Sequence, residues 1–313
     1  MLDNPNSPAI QTEIDRQIRG IPPNNHVMRR VVKRLAALAV ALVVLATASV
    51  ICVGWLLAHP VQIRVGNPPA DLNAQTVSFK SDSGANVTGW WCPISNDRGA
   101  VLLLPGIRAN RLSMVERARF LRRAGYSILL IDFQATGETK GDRITFGSKE
   151  SRDVLAAIKF IREMQPSARI AIIGTSLGGA ATLLAVPPLK IDALILEAVY
   201  PTIEIAATNR LQNYLGPSGR SAAPLLLMQL HVRLGVSISD LRPVDHIENV
   251  SCPIFLMSGE KDRNTRQEDT RMLFSRAQSP KQLWFVPNAA HVDLHKAATA
   301  EYESRVLGFL GQM

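Results

Sequence analysis

The chain has 313 residues, 47% of them apolar, and a formal charge of +9. That is enough to bury one large core with an appendage, and no recurring period suggests a solenoid or propeller. Lys and Arg are dispersed and no basic run is interleaved with aromatics, so nucleic acid is not an indicated partner. Of the three cysteines, Cys52 lies in an apolar run, while Cys92 and Cys252 fall on strands distant in the expected sheet. No disulfide or zinc site is therefore expected, and both read as small buried hydrophobes.

Residues 1–34 read as a disordered, basic N-terminus, with paired prolines and several Asn over 1–28. Residues 35–58, LAALAVALVVLATASVICVGWLLA, carry no charge. About 20 apolar residues span a bilayer as a helix, so this run predicts a transmembrane anchor. Trp55 suits the interface and His59-Pro60 closes the helix. Arg29, Arg30, Lys33 and Arg34 precede the run, which places the N-terminus in the cytoplasm and the remainder across the membrane by the positive-inside rule. A cleaved signal peptide competes, with a small-residue site at Ala46-Thr47-Ala48, but the run continues past it. A buried core helix would show a polar face, which is absent here.

From about residue 70 to 313 strands and helices alternate. Residues 76–81 and 86–93 read as two strands joined by a turn at Asp82-Ser83-Gly84. Residues 100–104 are a short apolar run typical of a strand covered on both faces. A helical stretch over 111–124 follows, stopped by Gly125, then a strand at 126–133 and a helix at 151–164. Further strands are read at 169–174, 191–197, 253–257 and 282–286, with a small-residue helix at 177–186. This predicts a mainly parallel central sheet of about eight strands, helices on both faces and an antiparallel edge. Between about 201 and 250 the alternation lapses into a small helical cap insertion over the sheet's C-terminal edge, where such folds bind ligands. Its Leu225–Leu230 stretch reads equally as pocket wall and as cap core.

The strongest chemical signal is Gly174-Thr175-Ser176-Leu177-Gly178, a G-x-S-x-G motif entered by a strand and left by a Gly/Ala-rich helix. Its glycines permit a tight turn that lifts Ser176 above the sheet edge. The Leu177 N–H, at the helix N-terminus, points towards a developing oxyanion. A serine hydroxyl needs a positioned base. His26 and His59 flank the apolar run, and His231 and His246 lie in the insertion. His291, in the small-residue loop Asn288-Ala289-Ala290-His291, has room to reach over the edge; His295 reads as a surface residue. The base needs a carboxylate in turn, and Asp262 follows a strand at the same edge, giving the chain order Ser…Asp…His. Glu260 and Asp293 are rival carboxylates.

With these residues the chain resembles the α/β-hydrolase superfamily over roughly residues 75–312, particularly bacterial membrane-anchored serine esterases near the prolyl-oligopeptidase-type hydrolases. The resemblance implies Ser176 as nucleophile, Asp262 as acid and His291 as base. It also implies a second oxyanion donor from the loop after the third strand, Leu104-Pro105-Gly106-Ile107-Arg108, where the Ile107 N–H is available and proline stands in place of the usual histidine. Asp132 in the loop Asp132–Glu138 is expected to fix loop structure. No phosphate-binding glycine motif or His/Asp cluster calls for a nucleotide cofactor or metal. The expected activity is hydrolysis of a carboxylic ester, on a small-molecule or lipid-like substrate. Amide cleavage, or a hydrolase-like domain that only binds a ligand, are the alternatives.

Overall fold

The computed structural model describes Thr12, residues 25–187 and residues 189–312. The expectation of disorder over 1–34 therefore lies mostly outside the described residues. Where they resume the chain is already helical: α1 runs Asn25–Ala58, ten residues ahead of the expected start at 35. The expected unstructured, basic 25–34 is corrected here. Its Val, Met, Arg and Lys residues simply prolong a helix already nucleated by the apolar run, at one added hydrogen bond per residue. Residues 26–58 are long and apolar enough to cross a membrane, with a mean hydropathy of 2.7 in the most apolar stretch.

The chain divides into two compact units, Met1–Ser49 and Val50–Met313. In the first, the described helix exposes Leu35, Leu38, Leu42 and Val43 to its surroundings. The second unit starts earlier than the expected 70, because residues 50–69 pack with it. Ala58 is buried and its carbonyl accepts the Ile144 N–H at 2.9 Å. β1 (Val61–Gln62) then pairs with a two-residue strand further along, Thr136–Gly137.

An antiparallel hairpin opens the main sheet, β2 (Gln75–Lys80) and β3 (Asn86–Cys92). β4 (Ala100–Leu104) leads through a 3-10 turn at Arg111–Met114 into α2 (Val115–Arg123), then β5 (Ser127–Ile131) and the short β6 (Thr136–Gly137). α3 (Glu150–Met164), β7 (Ile170–Thr175), α4 (Leu177–Leu183) and β8 (Ala193–Glu197) follow. α4 stops three residues before the expected 186, where Pro187 bars αR geometry at Val186. The eight-stranded sheet has the order β10-β9-β8-β7-β4-β5-β3-β2, in which β9 is Ile254–Gly259 and β10 is Lys281–Val286. Six strands from β5 to β10 across the sheet are parallel, and β3 joins β5 antiparallel. β4, β5 and β8 are buried at every residue, whereas edge strand β2 alternates, as expected for strands with helices on both faces and for an edge.

The two apolar faces are covered separately. Val154, Ala157 and Ile161 of α3 and Ala180 and Leu183 of α4 pack on one, with Leu273 of α7 (Gln267–Arg276), a helix the sequence pattern did not reveal. Val115, Ala118 and Leu121 of α2 pack on the other, with Val306 and Phe309 from the C-terminal helix Thr299–Leu310. Between β8 and β9 the insertion forms α5 (Ile203–Leu215) and α6 (Gly219–Leu234) with short 3-10 turns as far as Asn249. The cap has a small core of its own, Leu184, Ile203, Leu227, Leu230, Val236 and Leu241.

Candidate active site

Ser176 stands between β7 and α4 with φ +50° and ψ −109°, a conformation that costs a non-glycine residue about 1–3 kcal/mol and persists only where the surroundings enforce it. They do. The Ser176 N–H donates to the Glu197 carbonyl at 2.7 Å, and its own carbonyl accepts the Ala180 N–H at 3.0 Å. A Cβ on Gly178 would lie 2.6 Å from the Leu104 carbonyl oxygen, and one on Gly174 would lie 2.6 Å from the Gly179 nitrogen. The motif's glycines are thus required by close backbone approach between elbow, helix and β4.

The loop after β4 lies against this turn: a Cβ on Gly106 would sit 3.7 Å from the Ser176 Cβ. Ile107 and Leu177 line the same cavity as Ser176. Among the described residues, neither the Ile107 nor the Leu177 backbone N–H donates to a backbone acceptor. Arg108, at φ +60°, donates to the Leu56 and His59 carbonyls at 2.7 and 3.3 Å, closing the C-terminus of α1.

Asp262 follows β9 with its side chain buried. One carboxylate oxygen accepts the Asn264 and Thr265 N–H groups, each at 2.8 Å, and the other is 2.8 Å from His291 Nδ1. Three partners fix the carboxylate. The two loops are themselves joined: the Lys261 N–H donates to the Ala289 carbonyl at 2.7 Å, and a Cβ on Gly259 would meet the Ala289 and Ala290 carbonyls at 2.4 Å. Glu260, the rival, is exposed and receives the Asn288 N–H at 2.9 Å. The structure therefore pairs Asp262 with His291 and holds Ser176 and both backbone donors on one cavity. No hydrogen bond joins Ser176 to His291 among the described residues; such contacts commonly tighten only in the Michaelis or transition-state complex.

Two neighbours behave differently from the sequence reading. His295 is not a surface residue: it is buried, stacks on Phe120 at 5.4 Å and places Nε2 2.9 Å from Glu303. Its loop turns inward because Leu294 and Tyr302 draw it onto the sheet's apolar face. Asp293 serves a buried arginine instead of the imidazole. Arg117, on α2, donates Nε and NH2 to Glu197 at 2.9 and 2.6 Å and lies 2.8 Å from Asp293, and Tyr302 donates its hydroxyl to Glu197. Burial alone would lower the Arg117 pKa, but Glu197, Tyr302 and Asp293 together hold it well above the ordinary value. Burial would raise Asp293, and the Arg117 guanidinium overrides it, holding the carboxyl below its usual range. Thr175, next to Ser176, also donates to Glu197 at 3.0 Å, so this cluster ties the elbow to the His291 loop. The sequence clue was a single Arg among the apolar positions of α2. Asp132 does fix its loop: it accepts the Arg111 and Glu138 N–H groups at 2.7 and 2.9 Å and pairs with the Arg111 side chain.

The cavity above Ser176 has a volume of about 240 Å³. Its walls are Val53, Gly54, Leu57 and Ala58 from the end of α1, Ile203 and Leu211 from α5, and Leu226, Leu227 and Leu230 from α6. The Leu225–Leu230 stretch is both pocket wall and cap core, with Leu225 and Met228 facing outward. The end of α1 belongs here because Gln229 donates to the Val50 carbonyl at 3.0 Å and Arg233 to the Ile51 carbonyl at 3.3 Å.

A profile of the family described as "Serine aminopeptidase, S33" matches residues 95–242, a stretch containing Ser176 and both cap helices and ending before Asp262. The uncharacterized protein Rv2307c of Mycobacterium tuberculosis is 28% identical over 277 residues, covering 83% of this chain and 90% of its own. The uncharacterized protein YfhR of Salmonella typhi is 22% identical over 303 residues, covering 90% and 96%. Among solved structures, the Pyrococcus furiosus esterase Pf2001 superposes with a TM-score of 0.67 at 22% identity, covering 82% of this chain and 98% of the esterase. The α/β hydrolase GrgF from Penicillium gives 0.59 at 20% identity, covering 76% and 98%. By its sheet, its strand–turn–helix elbow and these superpositions, the chain has the α/β-hydrolase fold.

Proposed function

We propose that the protein is a membrane-anchored serine hydrolase that cleaves carboxylic esters through Ser176, His291 and Asp262. The observation that carries this reading is the Asp262–His291 pair, held at the same sheet edge as the strained Ser176 turn. With Nδ1–H donated to Asp262, His291 leaves Nε2 free to take the Ser176 hydroxyl proton. Ser176 Oγ attacks the ester carbonyl, and the Leu177 and Ile107 N–H groups receive the tetrahedral oxyanion. His291 then protonates the leaving alcohol, and water, deprotonated by the same imidazole, releases the acid from the acyl-enzyme. Asp262 fixes the tautomer and stabilises the imidazolium.

The cavity supports an apolar acyl group, since its lining is mostly apolar and includes leucine, isoleucine and valine from three helices. The uncharged run at 35–58 supports a single membrane span. Arg29, Arg30, Lys33 and Arg34 before it support a cytoplasmic N-terminus and a catalytic domain on the opposite side. Amide cleavage is the second reading, favoured by the description of the matching family. An aminopeptidase must seat a free ammonium, and this cavity's lining includes Arg108, Arg210 and Arg233 but no Asp or Glu. That lining favours the ester reading.

The test is turnover of p-nitrophenyl esters of increasing acyl length by the full chain in detergent. Ser176→Ala and His291→Ala are each expected to lower kcat by about 10⁴–10⁶-fold, and Asp262→Asn by about 10⁴-fold. Activity within tenfold of wild type in either alanine variant removes the assignment. Ser176-dependent release of aminoacyl amides in place of esters moves the protein to the second reading.

A further inference from the structure

The cavity combines two chemistries that a simple acyl pocket does not need. One wall is the end of the apolar helix, through Val53, Gly54 and Leu57, facing the leucines of α6. Three guanidinium groups share the lining and, among the described residues, no carboxylate does. Arg108 and Arg233 spend part of their donor set on carbonyls, at Leu56, His59 and Ile51, and on Gln229. Arg210, half-buried on α5, has no carboxylate in ion-pair contact among the described residues. Three other arginines are paired with carboxylates: Arg242 on the cap with Glu204 and Asp245, Arg111 with Asp132 and Glu138, and Arg117 with Glu197 and Asp293. A planar guanidinium presents a fork of donors matched to phosphate or carboxylate oxygens, and it does so most strongly where water is scarce.

We propose that the cavity takes acyl esters bearing an anionic headgroup, phosphate or carboxylate, with the acyl chain lying along the end of α1 and α6 and the anion held by Arg210, assisted by Arg233 and Arg108. The proposal rests on the hydrolase reading and adds the substrate class. It also gives the end of α1 a role beyond anchoring: an amphiphile leaving an apolar phase along that helix meets the cavity wall directly. The outward face of α6 continues the apolar path, since Leu225, Met228 and Val232 are exposed at successive turns.

The experiment uses the full chain in neutral detergent micelles with three decanoyl esters: a monodecanoyl glycerol phosphate, the decanoyl ester of glycolate and neutral monodecanoylglycerol. Decanoate release is expected to favour at least one anionic ester over the neutral one by about tenfold or more in kcat/KM. Whichever anion is favoured separates phosphate from carboxylate. Arg210→Gln is expected to bring that ratio to within about threefold, chiefly by raising KM for the anionic ester. Equal turnover of all three, or a preference that survives both Arg210→Gln and Arg233→Gln, overturns the proposal while leaving the hydrolase intact. Calorimetric binding of each anionic ester to Ser176→Ala separates the two readings. Arg210-dependent binding with no hydrolysis by wild type keeps the anion site and defeats the hydrolase, whereas absence of binding to the folded Ser176→Ala protein defeats the anion site.

Discussion

The elbow and the cap close one cavity from opposite sides, and they are held by different physics. From Leu177 to Leu183 every residue of α4 is buried, and the glycines at 174, 178 and 179 sit where any added methyl would meet backbone or a packed side chain below 3 Å. The 16-residue α6 buries only Gly219, Ala223, Leu227 and Leu230 and leaves Met228 and Val232 mostly exposed. One wall is over-determined, with a non-glycine residue forced to positive φ. The other is a thin layer, one side chain deep, attached to α1 through Gln229 and Arg233. A hydrolase needs the first kind of wall where charge develops and can vary the second where substrates differ.

The largest expected loss of stability comes from cutting what sustains the rigid wall. Arg117→Met leaves Glu197 buried without its bidentate partner and frees Asp293, so unfolding free energy should fall by about 3–5 kcal/mol in chemical denaturation. The double variant Arg117→Met with Glu197→Gln should recover part of that loss, because an unpaired buried charge costs more than an unmade pair. Equal stability of single variant and wild type would mean the cluster does not hold the elbow to the His291 loop.

A smaller effect comes from Asp153 at the start of α3, which accepts the Ser83 hydroxyl at 2.6 Å and the Gln134 N–H at 2.8 Å. Burial pushes its carboxyl from 3.8 up to about 6, against the lowering effect of those hydrogen bonds. Between these values the folded protein binds a proton that the unfolded chain has released. The stabilising contribution is therefore complete below the lower value and is lost as pH rises through the upper one. At 1.36 kcal/mol per unit the change amounts to about 3 kcal/mol. The stability difference between wild type and Asp153→Asn, measured by urea unfolding at several pH values, should shift in favour of Asp153→Asn across that window and stay flat above it. A difference independent of pH would place the carboxyl at its ordinary value.

Gly178→Ala tests the elbow itself. Its Cβ would meet the Leu104 carbonyl oxygen at 2.6 Å and Cβ at 2.7 Å, so α4 must lift from β4 at a cost of about 1–3 kcal/mol. Esterase activity should fall further than stability does, since the displaced helix carries the Leu177 N–H and catalytic geometry tolerates little displacement. Unchanged kcat in a stable Gly178→Ala protein would show that the close approach is incidental.

How far each wall could be read in the sequence follows from the same contrast. The G-x-S-x-G stretch specifies its own backbone, and continuous apolar runs at 100–104 and 170–174 announce strands covered on both faces. Asp262 and His291 follow strand ends, and chain order was enough to pair them. Long-range placement left no local mark. Nothing in the uniform run at 35–58 tells which face meets Gln229, and nothing near His295 shows that Phe120 and Tyr302 bury it. α7 went unread because its exposed face is charged and its N-cap position holds Arg266 in place of the usual Ser or Thr, the Asp269 carboxylate alone reaching back to the Arg266 N–H.

The weakest expected effect on stability is at the outward face of the cap, and it isolates the thin wall from the rigid one. Met228 and Val232 are 69% and 86% exposed, so Met228→Ser and Val232→Ser should each alter unfolding free energy by less than about 0.5 kcal/mol. Because both lie on the turn of α6 that Gln229 and Arg233 fasten to the apolar helix, the proposed membrane anchoring predicts that they matter for access from a bilayer. Partitioning of the full chain into neutral phospholipid vesicles is set mainly by α1 and should hardly change. Turnover of a vesicle-borne ester should fall severalfold in the double variant, while turnover of a soluble p-nitrophenyl ester stays at the wild-type rate. If both rates fall together, the cap's outer face supports the pocket's shape and not access from the bilayer.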